Sequence, residues 1–172
     1  VELKVVNGVI QPDTEQDAIM VSVLERFGKN GNKSLAFCSG WKLKNGAMAS
    51  TCAPDDNNLV VMGSSAEDMS IAVNHLIEQG GGQVVVENGK VIEFLPLPVG
   101  GIVSDEEPEV IAELEKKIDE AARRIGSDLP NPMMYMFFLP ITAIPDYALT
   151  DVGPVDYCAL TTYDPVLELV EE

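Results

Sequence analysis

Four short polar side chains stand in a row at Asp55-Asp56-Asn57-Asn58, between two apolar stretches at 47–53 and 59–62. Carboxylate and carboxamide oxygens in such a row can ligate a hard cation or hydrogen-bond a polar ligand. The same composition also builds an ordinary Asx turn, whose side chains accept from their own backbone. Spacing alone leaves both readings open, and Asp55, Asn57 and Asn58 are the candidate pocket residues. The other chemistry-bearing residues offer less. His75 is the single histidine, which excludes any site built on two histidines within this chain. Its place between Ala72 and Leu76 puts it at the boundary of a helical face. Cys38, Cys52 and Cys158 are odd in number and lack C-x-x-C spacing, so neither a disulfide framework nor a zinc knuckle is expected. Each is expected to behave as a small buried hydrophobe. Gly80-Gly81-Gly82 follows a helix C-terminus, where the partial negative charge repels phosphate, so a cap and turn is expected there. G-x-S-x-G, Walker and G-x-G-x-x-G motifs are absent, as is the paired H-x-E and P-C-x-x-C of zinc base deaminases. Spacing therefore assigns no residue a catalytic or metal-ligating role.

These residues need elements to position them. The sequence has 172 residues, 46% of them hydrophobic, which is one domain's length with ample core. It is too short for a (β/α)₈ barrel, which takes about 250 residues. Two helices are expected, at about 65–79 and 105–125. The first begins with a Ser64/Glu67 capping box, carries Met69, Ala72, Val73, Leu76 and Ile77 on one stripe, and ends at Gly80. The second begins with Ser104/Glu107 and Pro108, carries Ile111, Leu114, Ile118, Ala121, Ala122 and Ile125, and ends at Gly126. Asn-Gly turns at 7–8, 45–46 and 88–89, and Gly28-Lys29-Asn30-Gly31, read as hairpin connections. The uniformly apolar run 133–139 between prolines fits a central strand buried on both faces or a helix turn lost in the core, and the strand is the favoured reading. The sum is an α+β domain, with two main helices packed on a mixed or largely antiparallel sheet.

The charge balance of 11 Lys+Arg against 28 Asp+Glu gives −17. Nucleic acid and anionic membrane surfaces are excluded as partners, because both need clustered cations. No apolar run approaches the roughly 18 residues of a membrane span, and no leader is visible, so a soluble cytoplasmic protein is expected.

One long pattern remains. Residues 40–51, Gly-Trp-Lys-Leu-Lys-Asn-Gly-Ala-Met-Ala-Ser-Thr, are followed by Asp55 and Asn58, then Glu67-Asp68-Met69 and Ala72-Val73-Asn74. Gly80-Gly81-Gly82-Gln83-Val84-Val85-Val86, Leu95-Pro96-Leu97-Pro98, Gly101, Ser104-Asp105, Leu129-Pro130-Asn131-Pro132-Met133, Leu149-Thr150-Asp151 and Val155-Asp156 continue it in order. Spread over residues 17–157, this series resembles the C-terminal domain of the microbial adenine deaminases of the amidohydrolase superfamily, and residues 1–172 are expected to form one such domain. The resemblance implies conversion of adenine to hypoxanthine and ammonia in the full family. It places a metal-activated hydroxide in a (β/α)₈ barrel upstream of the matched region. Mn or Fe is accordingly expected only in that barrel, with no cofactor in this chain. The expected partners are a catalytic barrel domain or further copies of the chain, with a purine as the ligand. The sequence departs from the family where Ala-His-Asp-Ser-His-Asn is typical: it reads Ala53-Pro54-Asp55-Asp56-Asn57-Asn58 and lacks both histidines. This favours a chain inactive by itself. The alternative is a stand-alone, non-catalytic module for ligand binding or oligomerisation.

Overall fold

The computed structural model describes residues 1–54, 56–166 and 168. The chain opens on β1 (Val5–Val6) and β2 (Val9–Ile10), paired around Asn7-Gly8, both of which have positive φ. Six further strands form one sheet: β3 (Ile19–Leu24), β4 (Lys33–Cys38), β5 (Ala47–Ser50), β6 (Leu59–Gly63), β7 (Gly82–Glu87) and β8 (Lys90–Pro96). Their order is β4-β3-β6-β5-β7-β8, and every described pairing is antiparallel. Helix α1 (Ala66–Gln79) lies between β6 and β7 in the chain, and α2 (Pro108–Arg124) and α3 (Pro132–Phe138) follow β8. A small antiparallel sheet of β9 (Tyr147–Thr150), β10 (Gly153–Asp156) and β11 (Thr161–Thr162) completes the described elements. The fold is α+β.

Strand alternation sorts the core into two layers. Ile19, Val21 and Val23 of β3, Met48 of β5, Val60 and Met62 of β6 and Val85 of β7 meet Ile118, Ala121, Ala122 and Ile125 around α2 and Met133 and Met136 of α3. Ala47, Ala49, Leu59, Val61, Val84 and Val86 point the other way, against Met69, Ala72 and Leu76 of α1. The alanines at 47, 49 and 72 are fully buried, so small side chains set the close approach of α1 to the sheet. Burying a Val, Leu, Ile or Met side chain contributes about 1.5–3 kcal/mol. The two faces together therefore hold the sheet from both sides.

The structure moves several expectations. Residues 133–139 are not a strand, since 132–138 form α3. Pro132 sits in its first turn and the Asn131 side chain accepts from the Met134 N–H at 3.3 Å. Met133 and Met136 are buried one turn apart, whereas Met134, Tyr135 and Phe138 are exposed. A run apolar at every position carries no period, so its helical face was hidden. The cap of α1 is Ser65, whose hydroxyl accepts from the Asp68 N–H; Ser64 instead lies against the Gly46 carbonyl. Helix α2 starts at Pro108, later than expected, because Ser104 accepts from the Glu106 N–H and thereby holds a turn. Asn45-Gly46 does not join a hairpin, for β4 and β5 are separated by β3 and β6. The turn instead ties the chain to the end of α2, where the Ile125 carbonyl accepts from the Lys44 N–H at 2.9 Å. Gly46 has φ +77, and a Cβ there would stand 2.3 Å from the Val86 carbonyl oxygen. Cys158 is exposed in the turn between β10 and β11 rather than buried, and Cys38 and Cys52 are half-buried.

Candidate functional site

One end of the sheet gathers the segment after β5, the glycines before β7 and the loop after β8. Thr51 is buried and its hydroxyl donates to the Gly101 carbonyl at 2.6 Å, while accepting from the Gly82 N–H at 2.8 Å. The glycine triplet is the cap and turn its position implies. Gly80 is left-handed with its N–H on the Ile77 carbonyl, and Gly81 donates to Leu76. Gly81 also lies so close to Gly101 that a Cβ would reach its Cα at 2.4 Å.

On this floor stands the polar loop. Asn57 donates its N–H to the Ala53 carbonyl at 2.7 Å and accepts the Ala53 N–H on its side chain at 3.3 Å. Its φ of 51 is one that asparagine tolerates. Asp56 accepts from the Asn58 N–H at 2.9 Å and from the Asn58 side-chain amide at 2.8 Å. Asn58 is buried, and Asp56 is exposed. Asn57 and Asn58 thus come together with Asp56 as an Asx-type turn. Asp55 lies outside the described residues.

Arg26, at the end of β3, fixes this loop. Its Nε donates to the Asn57 carbonyl at 2.6 Å and its Nη2 to the Gly100 carbonyl at 2.7 Å. The guanidinium also lies 4.6 Å from the centre of the Phe27 ring. Burial lowers the Arg26 pKa; burial also raises that of the Cys52 thiol, which the neighbouring Arg26 charge partly offsets. Nothing in the sequence marks Arg26, because its partners are set by how the strands register. The arrangement is a pre-organised loop, cross-braced by one cation, offering Asp56 and backbone groups at the surface.

His75 is not part of this constellation. It is half-buried on α1, with its ring edge-on to Phe94 at 4.7 Å and its Nε2 buried without a hydrogen bond among the described residues. Among the described residues no three His, Cys, Asp or Glu side chains converge as possible metal ligands. No described helix is long and apolar enough to cross a membrane. A cavity of about 360 Å³ lies elsewhere, at the start of α1 beside Lys44, Asn45, Ser65, Asp68 and Asn88. Two of its polar side chains are already engaged: Ser65 caps α1, and Asp68 accepts from the Gly89 N–H at 2.7 Å.

The family model described as the adenine deaminase C-terminal domain matches residues 1–160. Adenine deaminase 1 of Desulfotalea psychrophila is 71% identical over 169 residues, which take in 98% of this chain and 28% of that protein. Adenine deaminase 1 of Latilactobacillus sakei is 58% identical over 167 residues, 97% of this chain and 28% of the relative. Adenine deaminase 4 of Rhizobium meliloti is 55% identical over 166 residues, 96% of this chain and again 28% of the relative. The chain therefore spans little more than a quarter of these relatives. By the match along 1–160, it belongs to the adenine deaminase C-terminal domain family.

Proposed function

We propose that this chain serves as the accessory domain of a cytoplasmic adenine deaminase and does no chemistry alone. Hydrolysis of adenine to hypoxanthine and ammonia then belongs to a barrel domain carrying Mn or Fe, and the loop of Asp55, Asn57 and Asn58 faces the purine or the barrel. The observation that carries this reading is the coverage: the match takes in 98% of this chain but only 28% of the relative. The lone histidine, packed on Phe94, also offers no substitute for a metal site. The test is direct. The purified 172-residue chain, incubated with adenine and Mn²⁺ or Fe²⁺, releases ammonia at the blank rate; turnover above blank overturns the reading. If the loop faces the purine, Asp55→Ala or Asn58→Ala weakens adenine binding, and unchanged affinity removes the loop from the site.

A stand-alone assembly module is the second reading, favoured by one feature. All four tyrosines, Tyr135, Tyr147, Tyr157 and Tyr163, are exposed, on α3 and around the small sheet. Aromatic side chains of this kind are enriched in protein interfaces. Light scattering decides this reading, a stable oligomer supporting it and a strict monomer removing it.

A further inference from the structure

The loop after β8 contains a braced apolar turn. Val99 and Val103 pair as an isolated antiparallel bridge, the Val99 N–H donating to the Val103 carbonyl at 3.0 Å and the Val103 N–H returning at 3.2 Å. Gly100 and Gly101 between them both have positive φ, which lets the chain reverse. Three groups remote in sequence hold the turn. The buried Thr51 hydroxyl donates to the Gly101 carbonyl, Arg26 Nη2 donates to the Gly100 carbonyl, and Gly81 lies against Gly101. The turn's own side chains gain little from this bracing, since Val99 and Val103 are more than half exposed and Ile102 is 37% exposed. Phe27, also half exposed, is joined to the turn by Arg26, whose guanidinium lies 4.6 Å from the ring centre; Lys29 Nζ lies at 5.9 Å. Phe27, Val99, Ile102 and Val103 thus line one apolar rim beside the polar loop, because Arg26 also donates to the Asn57 carbonyl.

Scattered apolar side chains are ordinary on a protein surface, but four on one fixed rim mark a contact site. Fixing an exposed turn costs conformational entropy that its own burial does not return. A surface already rigid loses less on association. A small ligand needs a cleft, whereas this turn exposes the residues on both of its sides. A second copy brings another chain of net charge −17 against the first, which opposes association. A third occupant is supplied by coverage: the match takes in only 28% of the Desulfotalea psychrophila relative, so most of that protein lies outside it. We propose that the rim is the surface by which this domain docks on the remainder of the enzyme, an inference that rests on the accessory-domain reading above. The facing surface is apolar opposite Phe27, Val99, Ile102 and Val103, and presents acceptor oxygens to Arg26 and Lys29. Docking there sets the loop of Asp56, Asn57 and Asn58 at the seam between the two parts.

Hydrogen exchange read by mass spectrometry tests the rim. The isolated chain is compared with the Desulfotalea enzyme carrying this chain in place of its matched segment. The natural Desulfotalea enzyme is measured alongside, so that an exchanged domain that fails to fold still leaves a comparison. Amides at 25–28 and 97–104 are expected to exchange roughly tenfold slower in the long proteins, as for groups covered by a bound partner. Ile102→Ser with Val103→Ser, at exposed positions, keeps the exchange pattern of the isolated chain and returns the rim of the long protein toward the isolated rate. Equal rates at 25–28 and 97–104 overturn the proposal, as does full protection of the rim in the double variant. Protection confined to the tyrosine-bearing segment 147–163 overturns it too, and gives the docking to that face. A long protein that releases ammonia from adenine with an unprotected rim overturns the docking and leaves the accessory reading intact. Ammonia released by the isolated chain overturns that reading, and the docking with it.

Discussion

Arg26 Nε meets the Asn57 carbonyl at 2.6 Å although 31 positions separate the two residues. That contact turns a locally folded Asx turn into a fixed feature of the sheet end, because the same guanidinium also holds the Gly100 carbonyl. Removing it leaves two carbonyls short of a charged donor. Arg26→Ala is expected to cost about 1–2 kcal/mol, the lower part of the range for hydrogen bonds to charged groups, since Arg26 is partly exposed. Urea unfolding measures that loss. Hydrogen exchange should localise it, with faster exchange at Asn57 and Asn58 and unchanged exchange at Val21 and Val23. Arg26→Lys should restore only part, because an ammonium lacks the fork that reaches both carbonyls. Uniform acceleration across the sheet would mean that Arg26 braces the whole domain rather than the loop.

Helix α3 makes a prediction that the strand reading contradicts. In a strand, Met134 and Met136 would share a face; in the helix Met136 is buried and Met134 is half exposed. Met136→Ala should therefore cost about 2–4 kcal/mol, as for other large buried side chains. Met134→Ala should fall within ~0.5 kcal/mol of the parent, as for exposed positions without special contacts. Equal losses at the two methionines would restore the strand.

What the residues revealed in advance follows from the same contrast. Helices α1 and α2 were legible because polar residues interleave with their apolar stripes, and Gly80 marked the first end correctly. Helix α3 was not, since a run with no polar position carries no period. Asn88-Gly89 and Asn45-Gly46 look alike, yet only the first joins paired neighbours. A turn dipeptide specifies a reversal of direction and says nothing about which strand lies alongside. At the site, the polar loop could be seen as turn or ligand set from its composition. Arg26 could not, because its role depends on strand register and on loops remote in sequence.

The three cysteines should separate by reactivity. Burial, with the Asp17 charge adding to it, pushes the Cys38 thiol up to about 12. Burial raises Cys52 as well, and Cys158 is exposed in its turn. The thiolate is the reacting species, so a buried thiol with a raised pKa alkylates slowly. Iodoacetamide at mildly alkaline pH, followed by peptide mass mapping, should label Cys158 first and Cys38 last. Labelling of Cys38 at the Cys158 rate would show that β4 opens readily at the sheet edge.

Glu87 links the Asn45 turn to the end of α2, and its pH dependence has a definite sign. The Asn45 side-chain amide donates to it at 3.1 Å, and Arg124 Nη2 lies at 2.5 Å. The Asn45 bond first, then Arg124, hold the Glu87 carboxyl below its ordinary value, against a smaller opposing effect of burial. A carboxyl whose pKa is lowered on folding contributes stability that is fully present above its unfolded value, about 4.3, and fades as pH falls through the folded value. Glu87→Gln keeps the shape and the Asn45 contact while removing the charge. Its melting temperature should lie below that of the parent at neutral pH, and the gap should close as the buffer is taken through the acid range below about pH 4. Raising the salt at neutral pH should narrow the gap as well, because Arg124 is well exposed and its attraction is screened. A gap that stays constant across the titration would mean that Glu87 acts through packing alone, and that the charge of Arg124 contributes nothing to holding α2 on the sheet.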